Sequence, residues 1–407
     1  MRPGYARQYR ATPAWPGPFM SDPALAGGIT PAQLKENTMH TSTTAQGLQR
    51  LRVVASLTLL LITAVLAPTS PAHAHSRSSP NPGPAACKRH DTSITLTPKR
   101  TAPRYRVAGW LCVPRGGART VQLLVSGFTY DHTYWTGLSA STNWTAGAFA
   151  HGDAVYLIDR PGVGASDRPP AAQVTVDREA EALHQIATGL RDGRIGRFAN
   201  VVGVGHSYGS IVLAAEAATH RDLDALVLTG KLVDYNQPGL KAFQDSLYPA
   251  SSDPKFARSR MPAGYVTTPP GTRAGFFLDT STAIPGSARW QEITKAVGTS
   301  GERATMTADA YIAASRQITI PVLLIVGSHD SLFCNTSRPC GTGAQLCQRT
   351  HGFYSPGTPV DTLVVPGAGH AIDLHRGAAA VFTAANRWIS RTVTRTGPRP
   401  AVTTCRR

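Results

Sequence analysis

The sequence lacks the patterns that define several large classes of proteins. Its longest apolar run, residues 53–67, is shorter than the ~20 residues needed to span a bilayer. No internal repeat is visible, and no run of five or more like charges occurs, although 41 Lys and Arg against 24 Asp and Glu give a net charge of +17. Scattered positive charge without a nucleic-acid motif is typical of a soluble cationic protein. These absences disfavour a transmembrane protein, a repeat array and a nucleic-acid-binding protein.

The apolar run has the surroundings of a secretory signal peptide. A basic start containing Arg52 precedes it, and the small-x-small sequence Ala-His-Ala at 72–74 follows it. We therefore predict that residues 1–74 are a leader and signal peptide, and that the mature protein is secreted without a stable membrane anchor. A retained anchor is the less favoured alternative. Residues 75–86 are rich in Ser, Pro and Gly, which predicts a disordered lead-in.

All six cysteines lie beyond the predicted cleavage point: Cys87, Cys112, Cys334, Cys340, Cys347 and Cys405. An even number of cysteines in an exported chain favours three disulfides. Cys87 and Cys112 bracket a predicted hairpin and are natural partners, whereas the three possible pairings of the other four stay open. A zinc site is the rival interpretation, but the cysteine spacing is poor for a metal and no histidine pair lies nearby.

Short apolar segments alternate with helical stretches along the mature chain. The predicted strands are residues 93–97, 105–112, 120–125, 154–159, 201–204, 225–229, 322–326 and 362–365. The last five are apolar without alternation, as expected for strands buried on both faces of a parallel sheet. This α/β order predicts a doubly wound, mostly parallel sheet.

One interval interrupts the alternation. Residues 231–317 contain no convincing core strand and are too long for a plain loop in a compact domain. We expect this segment to carry its own structure, inserted between a first core part, 87–230, and a second, 318–407. A surface elaboration that does not touch a ligand is the alternative interpretation.

The pentapeptide Gly-His-Ser-Tyr-Gly at residues 205–209 is a G-x-S-x-G sequence. Residues 198–204 before it predict a buried strand, and residues 210–218 after it predict a helix. A serine on a sharp strand-to-helix turn is exposed above the sheet, and the flanking glycines let strand and helix approach each other. G-x-S-x-G also occurs by chance in a chain with 38 glycines, but this context favours Ser207 as a nucleophile.

With an aspartate and a histidine following it, this pattern resembles the serine hydrolases of the α/β-hydrolase superfamily. The resemblance implies an eight-stranded sheet with a cap inserted after strand six, which is where 231–317 falls. Asp330, in the turn after one predicted strand, matches the acid, and His370, in the Gly-x-Gly-His loop after the next, matches the base. Asp234 is the alternative acid, because some relatives place it after strand six. His206 is expected to pack or shape the turn.

An acyl-transfer site also needs N–H donors for the oxyanion. The resemblance implies the backbone N–H of Tyr208, directly after the nucleophile, and one from the loop at 125–130. In that loop Phe128 is the candidate and Thr129 the second choice; Ser126 stands where the family often has histidine. Residues 159–166 resemble a further family loop and are expected to form a structural turn.

The expected function is that of a secreted serine hydrolase that cleaves a small carboxylic ester through a Ser207–Asp330–His370 triad. An exported aminopeptidase-type amide hydrolase and a cofactor-free, haloperoxidase-like perhydrolase are catalytic alternatives, and an inactive binding protein on the same scaffold is the non-enzymatic one. No cofactor, metal site or nucleic-acid partner is indicated. The loop at 159–166 contains a lone G-x-G, which lacks the remainder of a dinucleotide fingerprint. The substrate and the oligomeric state stay open.

Overall fold

A computed structural model describes residues 86–406 of the chain. Its strands are β1 (Ala86–Arg89), β2 (Thr92–Thr95), β3 (Arg104–Val107), β4 (Gly109–Val113), β5 (Thr120–Val125), β6 (Ala154–Ile158), β7 (Asn200–His206), β8 (Ala225–Thr229), β9 (Tyr248–Pro249), β10 (Tyr265–Thr267), β11 (Gly298–Thr299), β12 (Val322–Gly327), β13 (Val360–Val365) and β14 (Thr403–Thr404). Nine of them form the central sheet, in the order β1-β4-β6-β5-β7-β8-β12-β13-β14.

The middle of this sheet is parallel from β6 through β5, β7, β8 and β12 to β13. Strands β5, β6, β8 and β12 are buried along their whole length. The apolar sequences of β6, β8 and β12 predict this burial, whereas β5 also buries the polar side chain of Gln122. Only the outer pairs β1–β4, β4–β6 and β13–β14 are antiparallel. The doubly wound, mostly parallel sheet expected from the sequence is therefore confirmed.

The central sheet has nine strands where eight were expected. The predicted strand 105–112 breaks at Ala108 into β3 and β4, and β3 pairs with β2 in a separate two-stranded sheet. The additional edge strands β1 and β14 are short and carry no apolar run that would predict a strand. β1 begins at the last residue of the predicted lead-in, and the rest of the segments 1–74 and 75–86 lies outside the described residues.

Helices flank the central sheet in two groups. In chain order they are α1 (Thr133–Thr136), α2 (Trp144–Ala150), α3 (Val176–Asp192), α4 (Tyr208–Thr219), α5 (Gln237–Ser246), α6 (Arg273–Phe277), α7 (Ser287–Thr294), α8 (Ser300–Thr305), α9 (Ala308–Ser315), α10 (Gly343–Thr350) and α11 (Ala378–Ile389). Helix α3 packs against α4, and α4 against α9, while α2 packs against α11. No helix within residues 86–406 is long and apolar enough to cross a membrane.

The segment between β8 and β12 has its own secondary structure. It contains helices α5 to α9 and a small sheet in the order β11-β10-β9. A separate apolar cluster that includes Ala250, Phe256, Tyr265 and Val297 supports this sheet. The segment therefore has secondary structure of its own, and Ala171 of the first core part joins its apolar cluster.

All six cysteines form disulfides, and Cys87 is joined to Cys112 as the sequence predicts. The two residues are direct partners in the β1–β4 ladder. The pairings left open are Cys334–Cys340 and Cys347–Cys405. The last of these ties α10 to the chain end just after β14, next to the edge of the sheet.

Candidate active site

Ser207 lies on a strained turn between β7, which ends at His206, and α4, which begins at Tyr208. Its φ is 53° and its ψ is −114°, a backbone conformation that costs a non-glycine residue about 1–3 kcal/mol. A Cβ on Gly209 would lie 2.1 Å from the carbonyl oxygen of Val125, and one on Gly205 would lie 2.7 Å from the backbone nitrogen of Ser210. Both flanking glycines are therefore required for the strand and helix to approach this closely.

The surrounding backbone fixes the turn. The N–H of Ser207 donates to the carbonyl of Thr229 at the end of β8 (2.8 Å), and its carbonyl accepts from the N–H of Ser210 (3.0 Å). The residue stays half-buried and lines a cavity together with His370. No hydrogen bond from its hydroxyl to His370 is present among the described residues, and such bonds are often long before a substrate binds.

His370 and Asp330 form a buried hydrogen-bonded pair. Asp330 follows β12 and His370 follows β13, and these strands are parallel neighbours, so both loops emerge at the same edge of the sheet. The His370 Nδ1 lies 2.8 Å from the Asp330 Oδ2, and the two side chains are 1% and 0% exposed. A carboxylate on Nδ1 holds that nitrogen protonated, which leaves Nε2 free to act as a base.

Close packing of glycine loops brings this pair together. A Cβ on Gly327 would lie 2.2 Å from the carbonyl oxygen of Ala368, so only glycine permits the two loops to touch here. The N–H of Leu332 donates to the Asp330 Oδ1 (3.0 Å), which fixes the carboxylate. The Gly369 N–H donates to the His375 Nε2 (3.1 Å), so His375 shapes the loop that carries His370.

The alternative acid, Asp234, has other partners. Its carboxylate accepts hydrogen bonds from the Nη2 (2.7 Å) and Nε (3.0 Å) of Arg349, and Arg338 lies 3.6 Å away. The structure therefore brings Asp330, and not Asp234, to the ring of His370. Another histidine, His329, is exposed and pairs with Asp279.

His206 is a packing residue beside the serine. Its ring stacks on Tyr134 with centroids 4.2 Å apart and lies 4.9 Å from the ring of His370. Burial holds the pKa of His206 well below its ordinary value, so the ring is neutral. Its Nδ1 pairs with the hydroxyl of Thr229 (3.0 Å).

The loop after β5 places Phe128 beside Ser207. A Cβ on Gly127 would lie 3.1 Å from the Ser207 Cβ, so the backbone passes close to the serine. The carbonyl of Gly127 accepts from the Arg160 Nη2 (3.0 Å), and because a trans peptide points its C=O and N–H in opposite directions, the Phe128 N–H points away from Arg160. The Tyr208 N–H, at the first position of α4, has no acceptor within the helix.

Arg160 is a residue of this site that the sequence did not single out. Its guanidinium also donates to the carbonyl of Ser126 (2.9 Å), pairs with Glu179 (2.8 Å) and contacts Glu302. Glu179 in turn accepts from the hydroxyl of Tyr208 (2.6 Å). The expected structural turn at 159–166 therefore anchors the Phe128 loop, the start of α4 and, through Glu302, helix α8.

The cavity at Ser207 is mainly aromatic and aliphatic. Its walls include Phe128, Tyr208, Phe243, Phe277, Phe333 and Lys231. Phe243 and Phe277 come from the segment between β8 and β12, and Phe277 stacks obliquely on the ring of His370 with centroids 5.6 Å apart. This segment therefore contributes directly to the site.

The sequence matches a known protein family. Residues 122–384, which are more than half of the chain, match the alpha/beta hydrolase family. The chain belongs to this family. Membership supports a hydrolase, and it accounts for the order of serine, aspartate and histidine along the sequence. No curated protein matches this alpha/beta hydrolase.

Solved structures share the fold at low sequence identity. A thermophilic esterase from Thermogutta terrifontis, solved with malate bound, has a TM-score of 0.50 and 20% identity, covering 74% of this chain and 99% of the esterase. Carboxylesterase CesB from Bacillus subtilis has a TM-score of 0.50 and 13% identity, covering 76% and 93%. The alpha/beta hydrolase GrgF from Penicillium sp. sh18 has a TM-score of 0.50 and 16% identity, covering 75% and 99%.

Two groups of side chains in the described part of this alpha/beta hydrolase bring ligand atoms within 4.8 Å of one another, as a metal site requires: Asp131, His132 and Asp159, and His184, Glu216 and Asp222. Hydrogen bonds already join their members, with the His132 Nδ1 2.7 Å from Asp159 and the His184 Nδ1 2.6 Å from Asp222. Neither group contains Ser207, His370 or Asp330.

Proposed function

We propose that this alpha/beta hydrolase is a secreted serine hydrolase that cleaves carboxylic esters through an acyl-enzyme on Ser207. The observation that carries the proposal is the buried hydrogen bond between His370 and Asp330, together with a cavity that Ser207 and His370 share. A serine hydroxyl is a weak nucleophile, and a neighbouring imidazole oriented by a carboxylate activates it.

In the acylation step, the Ser207 Oγ attacks the ester carbonyl carbon while the His370 Nε2 takes its proton. Asp330 holds the other ring nitrogen and stabilises the imidazolium that forms. The N–H groups of Phe128 and Tyr208 receive the oxyanion, each contributing about 3 kcal/mol to the transition state. The alcohol leaves with the proton from His370, and a water activated by the same ring then hydrolyses the acyl-enzyme.

Segment 231–317 acts as a cap in this proposal. Support comes from Phe243 and Phe277, which line the cavity at Ser207, and from Glu302, which joins Arg160 beneath the Phe128 loop. Three disulfides support secretion, because such bonds persist in oxidising compartments.

The proposal is tested with a panel of p-nitrophenyl esters of rising chain length beside aminoacyl p-nitroanilides. The wild-type protein is expected to hydrolyse the esters in preference to the anilides, and Ser207→Ala is expected to hydrolyse neither. Preference for the anilides would show that the protein cleaves amides rather than esters. Undiminished ester turnover by Ser207→Ala would show that Ser207 is not the nucleophile.

A further inference from the structure

The cavity at Ser207 contains a lysine that pairs with no acid in the part of the chain that the structure describes. Lys231 follows β8 and lines the cavity together with Ser207 and His370, although only 4% of the residue is exposed. Among residues 86–406, no hydrogen bond and no ion pair to its ammonium is present. Buried cations are normally paired, because removing an ammonium group from water is costly unless hydrogen bonds replace the lost solvent.

Another buried lysine shows the normal arrangement. Lys295 is 3% exposed, its Nζ lies 2.6 Å from the Asp253 carboxylate, and it also donates to the carbonyl of Thr268 (3.1 Å). Lys231 instead lies among aromatic rings, with its Nζ 4.7 Å from the centroid of Tyr311 and 5.0 Å from that of Phe333. Ring faces attract a cation but do not replace the hydrogen-bond acceptors that three N–H donors require.

Two carboxylates act on Lys231 from a distance, but each is bonded elsewhere. Asp330 holds His370, and Asp234 holds Arg349. Burial lowers the pKa of Lys231 to about 7 against the attraction of both acids. An anion brought into the cavity would therefore find a cation whose donors are unused, and its charge would stabilise the protonated lysine.

We propose that Lys231 binds a carboxylate of the substrate, so that the substrates of this site are esters carrying an anionic group, as in monoesters of dicarboxylic acids. The proposal rests on the proposed ester hydrolysis at Ser207. A single lysine among aromatic walls matches a single negative charge on an apolar chain, whereas a doubly charged phosphate would leave a charge uncompensated. The remaining walls, such as Phe243 and Phe277, suit the methylene groups between the two ends.

The first test compares anionic and neutral esters of equal chain length. Mono(p-nitrophenyl) adipate is paired with p-nitrophenyl hexanoate, and mono(p-nitrophenyl) suberate with p-nitrophenyl octanoate. In Lys231→Met, the ratio of kcat/KM for the anionic ester to kcat/KM for its neutral partner is expected to fall by at least about tenfold, mainly through the KM of the anionic ester. An unchanged ratio of anionic to neutral ester activity would overturn the proposal.

The control variant is Lys241→Met. Lys241 lies on α5 in the same segment, but its side chain is 74% exposed and pairs with Asp245 at the surface. The Lys241→Met substitution removes the same net charge without changing the cavity lining, so this variant is expected to keep the wild-type ratio of anionic to neutral ester activity. If this ratio fell as far in Lys241→Met as in Lys231→Met, the effect would be due to overall charge and the proposal would be overturned.

A second test does not depend on turnover. Ser207→Ala protein is titrated calorimetrically with monomethyl adipate and with dimethyl adipate, with and without Lys231→Met. The monoester is expected to bind at least about tenfold tighter than the diester, and only when Lys231 is present. If Ser207→Ala binds monomethyl adipate no more tightly than dimethyl adipate, the proposal is overturned. This comparison holds even if the protein with Lys231→Met does not fold.

The two tests separate this proposal from the proposed function. If the wild-type protein cleaves no ester but Ser207→Ala binds monomethyl adipate through Lys231, ester hydrolysis is wrong and the anion site stands. If neutral esters are cleaved and neither ratio nor binding depends on Lys231, ester hydrolysis stands and the anion site is wrong.

Discussion

Replacing Asp330 with asparagine isolates the role of the buried carboxylate. Asn has nearly the same shape, and its amide oxygen can still accept from the N–H of Leu332, which now donates at 3.0 Å. Its NH₂ group then faces the His370 Nδ1, where the Asp330 oxygen now lies at 2.8 Å. Because two donors cannot share that contact, Nδ1 becomes an acceptor and the ring proton moves to Nε2. His370 can then no longer take the proton of Ser207.

The size of the effect follows from this change of tautomer. We expect kcat for ester hydrolysis to fall by about 10³–10⁴-fold, as when the acid of a serine–histidine–aspartate triad becomes an amide. That loss corresponds to about 4–5.5 kcal/mol of transition-state stabilisation. The free energy of unfolding should fall by no more than about 1–2 kcal/mol, because one hydrogen bond weakens and no cavity is created.

The assay is steady-state hydrolysis of a p-nitrophenyl ester, with urea unfolding of the same preparations. Asp234→Asn is the matched control, because its carboxylate pairs with Arg349 and not with His370. This control should keep near-wild-type kcat and lose about 1 kcal/mol or less of stability, since Asp234 is partly exposed. If Asp234→Asn showed the large loss and Asp330→Asn did not, the assignment of the acid would be reversed.

Three further predictions concern the rest of the molecule. Arg160→Met, which leaves Glu179 and Glu302 buried without their cation, should cost about 3–5 kcal/mol in urea unfolding; a cost below about 1 kcal/mol would contradict it. Burial raises the pKa of Asp153 to about 7, so the ionised carboxylate destabilises the fold increasingly from about pH 4 to about pH 7. Asp153→Asn should therefore be more stable than wild type at pH 8, by up to about 4 kcal/mol, and no more stable at pH 4. Secreted protein should begin near His75 by N-terminal sequencing and show no reactive thiol when denatured without reductant, whereas two or more thiols would contradict the three disulfides.

Local sequence was enough to predict the sheet and to favour Ser207 as a nucleophile, and the resemblance to the α/β-hydrolases supplied Asp330 and His370 as the candidate acid and base. Ser207, Asp330 and His370 each lie in a turn directly after an apolar strand, and the glycines that shape those turns are adjacent in sequence. The sequence left Asp234 open as the acid, and the parallel pairing of β12 with β13 is what brings Asp330 to His370.

The residues around the site depend on contacts between distant parts of the chain, and no local pattern predicted them. Arg160 meets Glu302 across 142 positions of sequence. Lys231 follows a strand like many surface lysines, and its burial results from packing against Tyr311 and Phe333. The disulfide between Cys347 and Cys405 likewise accompanies the pairing of β14 with β13, and the short sequence of β14 does not predict that pairing.

In the proposed mechanism Ser207 is the nucleophile, and active-site labelling is the sharpest test of that role. A fluorophosphonate probe reacts with a serine only when a base activates the hydroxyl. We expect stoichiometric labelling of the wild-type protein, mapped by peptide mass spectrometry to Ser207, and no labelling of Ser207→Ala. Labelling of Ser207→Ala equal to that of wild type, or modification mapped to another residue, would contradict it.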